Sequence, residues 1–151
     1  MAQQSDYLTN QATFKFTYYP GIISGAVHWT FEELMAEVVL TMPGPVAAAG
    51  DYGEVRPNRL LSNLYLLKAD DGRDVTFTRL QGAMVAVPRV TGYSPSGDAI
   101  QWTFKFSPFQ IIRAGTYYLE AVLWQNMNSN CQPRDDRVVC HPAVSGDIVI
   151  V

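Results

Sequence analysis

The residues in this chain whose chemistry could go beyond packing are two cysteines, two histidines and three short acidic groups. Cys131 and Cys140 stand nine positions apart in a polar segment, 126–141, that also holds Pro133, Asp135 and Asp136. Unpaired exposed thiols are avoided in proteins, so the pair reads as a disulfide closing a hairpin-like loop. In the chain-entropy model a bridge over so short a loop removes about 2–3 kcal/mol of unfolded-state entropy. Two free thiols in a reducing compartment are the alternative. Zinc is a poor third reading, because only His28 and His141 accompany the cysteines and the spacing matches no paired-ligand pattern.

His28, beside Trp29, reads as a partly buried ring satisfied by backbone, and His141, between Cys140 and Pro142, as a loop residue. Neither falls in a Gly-x-Ser-x-Gly or His-Glu-x-x-His setting. Glu32, Glu33 and Glu37 suit capping and solvation of a short helix. Asp70, Asp71 and Asp74 surround Gly72 but lack the distal bidentate glutamate of a calcium loop, and a tight turn accounts for them. Asp135 and Asp136 lie between Arg134 and Arg137, where the charges neutralise one another. No nucleophile, base and electrophilic stabiliser can be assembled, so the sequence predicts a non-enzymatic protein with no cofactor and no metal.

Composition narrows the partners. The chain has 151 residues, 48 % hydrophobic and 17 % charged, with a net charge of −3 and only three lysines. No window clusters Lys and Arg as a phosphate backbone requires, so nucleic acid is not an expected partner. The most apolar stretch, 83–87, is far shorter than the ~20 residues that cross a bilayer, and Arg79 and Arg89 flank it. Residues 1–12 have neither the basic nor the apolar region of an export signal. The expectation is therefore a protein used without such export, as virion proteins are, or an extracellular one whose signal has been removed.

The elements that would position these residues are strands. Phe14, Phe16 and Tyr18 alternate with Thr13, Lys15 and Thr17, and Ile100, Trp102, Phe104 and Phe106 alternate with Gln101, Thr103, Lys105 and Ser107. Period-two patterning of this kind places Phe14, Phe16, Trp102 and Phe104 in a core. Residues 60–69 and 74–80 flank Asp70-Asp71-Gly72-Arg73 and read as a hairpin. Further strands are expected at 36–42, 83–90, 115–125 and 146–151, with Pro88 pushing its strand toward an edge or bulge. Thr30 answered by Glu33 resembles a capping box, so a short helical insertion is predicted near 30–36. Residues 47–58 read as a loop. The whole suggests an N-terminal arm, 1–11, and one all-β domain, 12–151, an antiparallel sandwich of about seven or eight strands.

Residues 108–123 sharpen that architecture. Ala114-Gly115-Thr116-Tyr117, followed by alternating Tyr117, Leu119, Ala121 and Leu123, resembles the penultimate strand of immunoglobulin-like domains. The resemblance covers about a tenth of the chain and speaks to fold alone. It implies that Tyr117 is a corner tyrosine, its ring in the core and its hydroxyl bonded back to the preceding turn. The chain departs from antibody-type domains in lacking the paired intersheet cysteines, since Cys131 and Cys140 both lie beyond that strand.

Tyr118, Val122 and Trp124 then fall on the opposite side of the same strand, an outward apolar strip suited to a protein partner or to a second covering layer. Low lysine content fits a subunit that buries surface against copies of itself or other members of an assembly. Two expectations follow: a structural subunit of a virion head, tail or extracellular filament, with the N-terminal arm docked on a neighbour, or a secreted carbohydrate- or peptide-binding module using loop-end aromatics.

Overall fold

Alternation of apolar and polar side chains governs where this chain turns inward. The computed structural model describes residues 7–23, 33–43, 55–93, 99–126 and 136–151. Among them the strands are β1 (Thr13–Tyr18), β2 (Ile22–Ile23), β3 (Leu34–Met42), β4 (Leu60–Lys68), β5 (Leu80–Gly82), β6 (Val85–Ala86), β7 (Pro88–Tyr93), β8 (Ile100–Ile111), β9 (Gly115–Asn126), β10 (Asp136–Val138), β11 (Ala143–Val144) and β12 (Ile148–Ile150). They form two largely antiparallel sheets that face each other across one core. One runs β1-β3-β8, with β5 and β7 both paired to β8; the other runs β2-β12-β9-β4-β6, with β10 and β11 also on β9.

The inward rows supply the core. Phe14, Leu34, Ala36, Val38, Leu40, Met42, Trp102, Phe104 and Phe106 come from one sheet, and Leu60, Leu64, Leu66, Tyr117, Leu119, Ala121 and Leu123 from the other. Trp102 is 3 % exposed and Phe104 fully buried, in edge-to-face contact with Phe14 at 5.4 Å between ring centroids. Phe16 is partly buried against this cluster.

Several elements differ from the sequence expectation. Leu34, Met35 and Ala36 belong to β3, so the predicted helical insertion at 30–36 is corrected over its described part. Leu34, Ala36, Val38, Leu40 and Met42 are all buried with half-exposed residues between them, and that two-residue period overrides helix propensity. Residues 30–32 lie outside the described residues. The predicted hairpin partner at 74–80 lasts one bridge, Leu67 to Asp74. Asp74 then accepts hydrogen bonds from the Thr76 amide (2.9 Å) and hydroxyl (2.6 Å), an Asx turn that opens a single helical turn, α1 (Thr76–Arg79). This turn carries the chain across to the other sheet, where β5 pairs with β8.

The predicted strand at 83–90 is two strands in different sheets. Val85 and Ala86 pair with β4, and after Val87 the run from Pro88 pairs with β8. Proline, with no N–H to donate, stands at the first position of its strand. Within the expected N-terminal arm, residues 7–11 pack on this chain's own strands. The Leu8 and Thr9 amides donate to the Val138 and Val139 carbonyls, and Leu8 joins the core. An apolar side chain and an open strand edge capture this segment within its own chain. Residues 1–6 lie outside the described residues.

Two substitutions test this packing. Trp102→Ala should cost about 3–5 kcal/mol in urea unfolding, since it empties a filled core position. At Gly82, φ is +106° and a Cβ would meet the Pro108 carbonyl oxygen at 2.6 Å. Gly82→Ala should therefore cost about 2 kcal/mol or more in the same measurement.

Candidate interaction surface

Because β9 alternates strictly, its inward row of Tyr117, Leu119, Ala121, Leu123 and Gln125 leaves Tyr118, Glu120, Val122 and Trp124 on the outer face, each half-buried. β4 runs antiparallel beside it and sets Leu67 across from Tyr118, Tyr65 across from Glu120, Asn63 across from Val122 and Leu61 across from Trp124. On the other flank of β9, Val144 lies opposite Glu120 and Val138 opposite Trp124. Val85, opposite Asn63, and Val144 are each 53 % exposed. The strip read from β9 alone is thus the middle of a wider apolar face whose other half comes from β4.

Charge on this face is acidic. Glu120 sits at its centre, and no lysine or arginine occupies an outward position of β4 or β9. Burial pushes the Tyr65 phenol above its ordinary pKa, and the nearby Asp74 and Glu120 carboxylates raise it further. The outer face of the opposite sheet has a different character. There Thr13, Lys15, Val39, Thr41, Gln101, Thr103 and Arg89 lie side by side, with Glu37 opposite Lys105, as suits a solvated surface.

Among the described residues, those singled out for chemistry do not gather at one place. Cys140 is a free thiol, 2 % exposed and part of the core, so the expected bridge to Cys131 is not formed; Cys131 lies outside the described residues. Burial lifts the Cys140 thiol to about 12. His141 is exposed, edge-to-face with Tyr7 and with Nδ1 3.0 Å from the Pro142 carbonyl oxygen. Asp71 is exposed, and the Arg73 amide that donates to its carboxylate lowers its pKa. Asp136 accepts a hydrogen bond from the Asn126 side chain at 3.0 Å. His28, Trp29, Glu32 and Asp135 lie outside the described residues. Among the described residues no three His, Cys, Asp or Glu side chains converge as metal ligands, and no helix is long and apolar enough to cross a membrane.

Tyr117 anchors the inner side of the surface. It is fully buried, its hydroxyl donates to the Arg113 carbonyl at 2.9 Å with the Ala114 carbonyl at 3.2 Å, and it accepts from Arg79 Nη1 at 3.2 Å. The Arg79 guanidinium also lies over the Tyr117 ring, 5.8 Å from its centroid. Sequence reading did not find this arginine, because α1 that delivers it looks like a strand on paper. Compared with known proteins, the chain matches no family model and no curated sequence.

Three outcomes follow from these contacts. Tyr117→Phe should cost about 1 kcal/mol in urea unfolding through the lost hydrogen bonds. Iodoacetamide at pH 8 should leave Cys140 unmodified in the folded protein and modify it in urea, read by peptide mass spectrometry. The folded thiol has the raised pKa, so its contribution to stability is complete below the ordinary value of 9.0 and is lost as pH climbs toward about 12. Unfolding midpoints should accordingly fall less steeply above pH 9 in Cys140→Ala than in the parent.

Proposed function

We propose that this protein is a non-enzymatic immunoglobulin-like subunit that packs into a larger assembly through the outer face of the β4–β9 sheet. The observation that carries the reading is the contrast between the two outer faces. One is threonine-rich and basic, whereas the other sets Leu61, Leu67, Tyr118, Val122 and Trp124 side by side across two strands. A solvated sheet face is ordinarily polar, and a contiguous apolar one serves as a contact surface. Aromatic side chains at its centre suit a protein partner. A virion component or an extracellular filament would use such a subunit.

The immunoglobulin-like assignment is supported by strand order. β1-β3-β8-β7 corresponds to the A-B-E-D sheet of that architecture, and β12-β9-β4-β6 to a G-F-C sheet extended by one strand. Tyr117, near the start of the F-equivalent strand with its hydroxyl turned back to Arg113, occupies the position of the corner tyrosine. Leu119 stands where antibody-type domains carry the second intersheet cysteine, and β4 has no tryptophan.

A second reading, a carbohydrate- or peptide-binding module, is favoured by a cleft of about 540 Å³ between β1 and β11, walled by Phe14, Phe16, Tyr19, Pro142 and Val144. Light scattering separates the two. The assembly reading expects a mass that rises with concentration above the 16.8 kDa of one chain, with and without reductant. Val122→Asp, which places a charge on the outer face and leaves the core intact, should then remain monomeric. A parent protein that stays monomeric at every concentration would sink self-assembly through this face and turn attention to the cleft.

A further inference from the structure

We infer that the cleft beside the β8–β9 corner is a binding site for an oxyanion, a carboxylate or phosphoryl group gripped by two arginines. The cleft measures about 570 Å³ and is lined by Lys68, Asp70, Arg79, Arg113, Thr116 and Tyr117 among others. Three of the eleven basic residues of a chain with net charge −3 therefore meet at one concavity. It is distinct from the outer sheet face, and the inference does not rest on that face.

Arg79 is the decisive residue. Its side chain is half-buried, stacked on the Tyr117 ring and tied by one N–H to the phenol oxygen. A guanidinium has five donors and cannot shed its charge, so a half-buried one ordinarily has a carboxylate beside it. Among the described residues, no carboxylate lies within ion-pairing distance of Arg79. The ion pair at the cleft joins Lys68 to Asp70 at 3.7 Å, with the Asp70 side chain 72 % exposed. Asp70 thus offsets Lys68, and no described carboxylate pairs with Arg79 or Arg113. Ring stacking and the phenol bond hold the Arg79 fork in place before a ligand arrives, which reduces the entropy cost of binding. Guanidinium forks bind carboxylates and phosphoryl groups in two-point fashion, which defines the ligand class.

The test is a titration of the ¹⁵N-labelled full chain at low ionic strength, followed by NMR, with succinate in one arm and inorganic phosphate in the other. Saturable shifts are expected at the Arg79 Nε–H and at the Gly115 and Thr116 amides, and the anion that saturates at lower concentration identifies the group. Arg113→Met, an exposed change, should weaken binding about tenfold, as loss of one charge-assisted hydrogen bond does. Asp70→Asn should tighten it severalfold by releasing Lys68. Both variants leave the Arg79–Tyr117 contact untouched, and thermal melts confirm that they fold. The inference is overturned if neither anion gives a saturable shift, if Arg113→Met binds as the parent does, or if Asp70→Asn fails to raise affinity.

Discussion

One buried phenol governs how the two sheets of this protein are joined. After β8 the chain must leave one sheet and enter the other within three residues, at an exposed turn whose carbonyls water alone would leave unfixed. The Tyr117 hydroxyl meets those of Arg113 and Ala114 and in turn accepts from Arg79. The turn is therefore fixed from below, by a side chain that belongs to the following strand. Once it is fixed, the parity of β9 is set, because a shift of one residue would exchange the Tyr117 row for the Tyr118 row. The core on one side of the sheet and the apolar outer face on the other both descend from that single register.

The same parity explains what was legible in the sequence. Phe14, Trp102, Phe104 and the row from Tyr117 to Leu123 follow period two without interruption, and their burial is what such patterning implies. Residues 34–36 and 74–80 were harder for a shared physical reason, since their local chemistry and their tertiary pairing disagree. Leu34, Met35 and Ala36 are good helix formers that β8 recruits as a strand. Residues 74–80 look like a β-branched strand, yet Asp74 captures Thr76 and bends the chain into a helical turn. Residues 83–90 read as one strand because the change of sheet at Val87 leaves no trace in hydropathy. Arg79 escaped notice for the same cause, its value lying in a ring 38 positions away along the chain.

The surface inherits a division of labour from this arrangement. One outer face is polar and basic, the other apolar with Glu120 at its centre, and the corner cleft brings together Lys68, paired with Asp70, and two arginines that no described carboxylate pairs. Cys140, set in the core as a free thiol, contributes packing where a bridge was expected. Among the described residues, Asp71 and Asp74 serve turns and Cys140 adds core volume.

The last strand of the β9 sheet has a consequence of its own. Residues 136–150 run the length of β9, but as three pieces, β10, β11 and β12, broken near Pro142 and Gly146. Leu8 and Thr9 cover one end of this margin and Gly21 to Ile23 the other. Long, flat strand margins invite uncontrolled lateral growth into fibrils, and short interrupted ones, with a proline that cannot donate, discourage it. A molecule whose margin is shielded in this way is kept from polymerising by strand addition there, so any neighbour would have to be met by the side chains of the flat face rather than by free backbone.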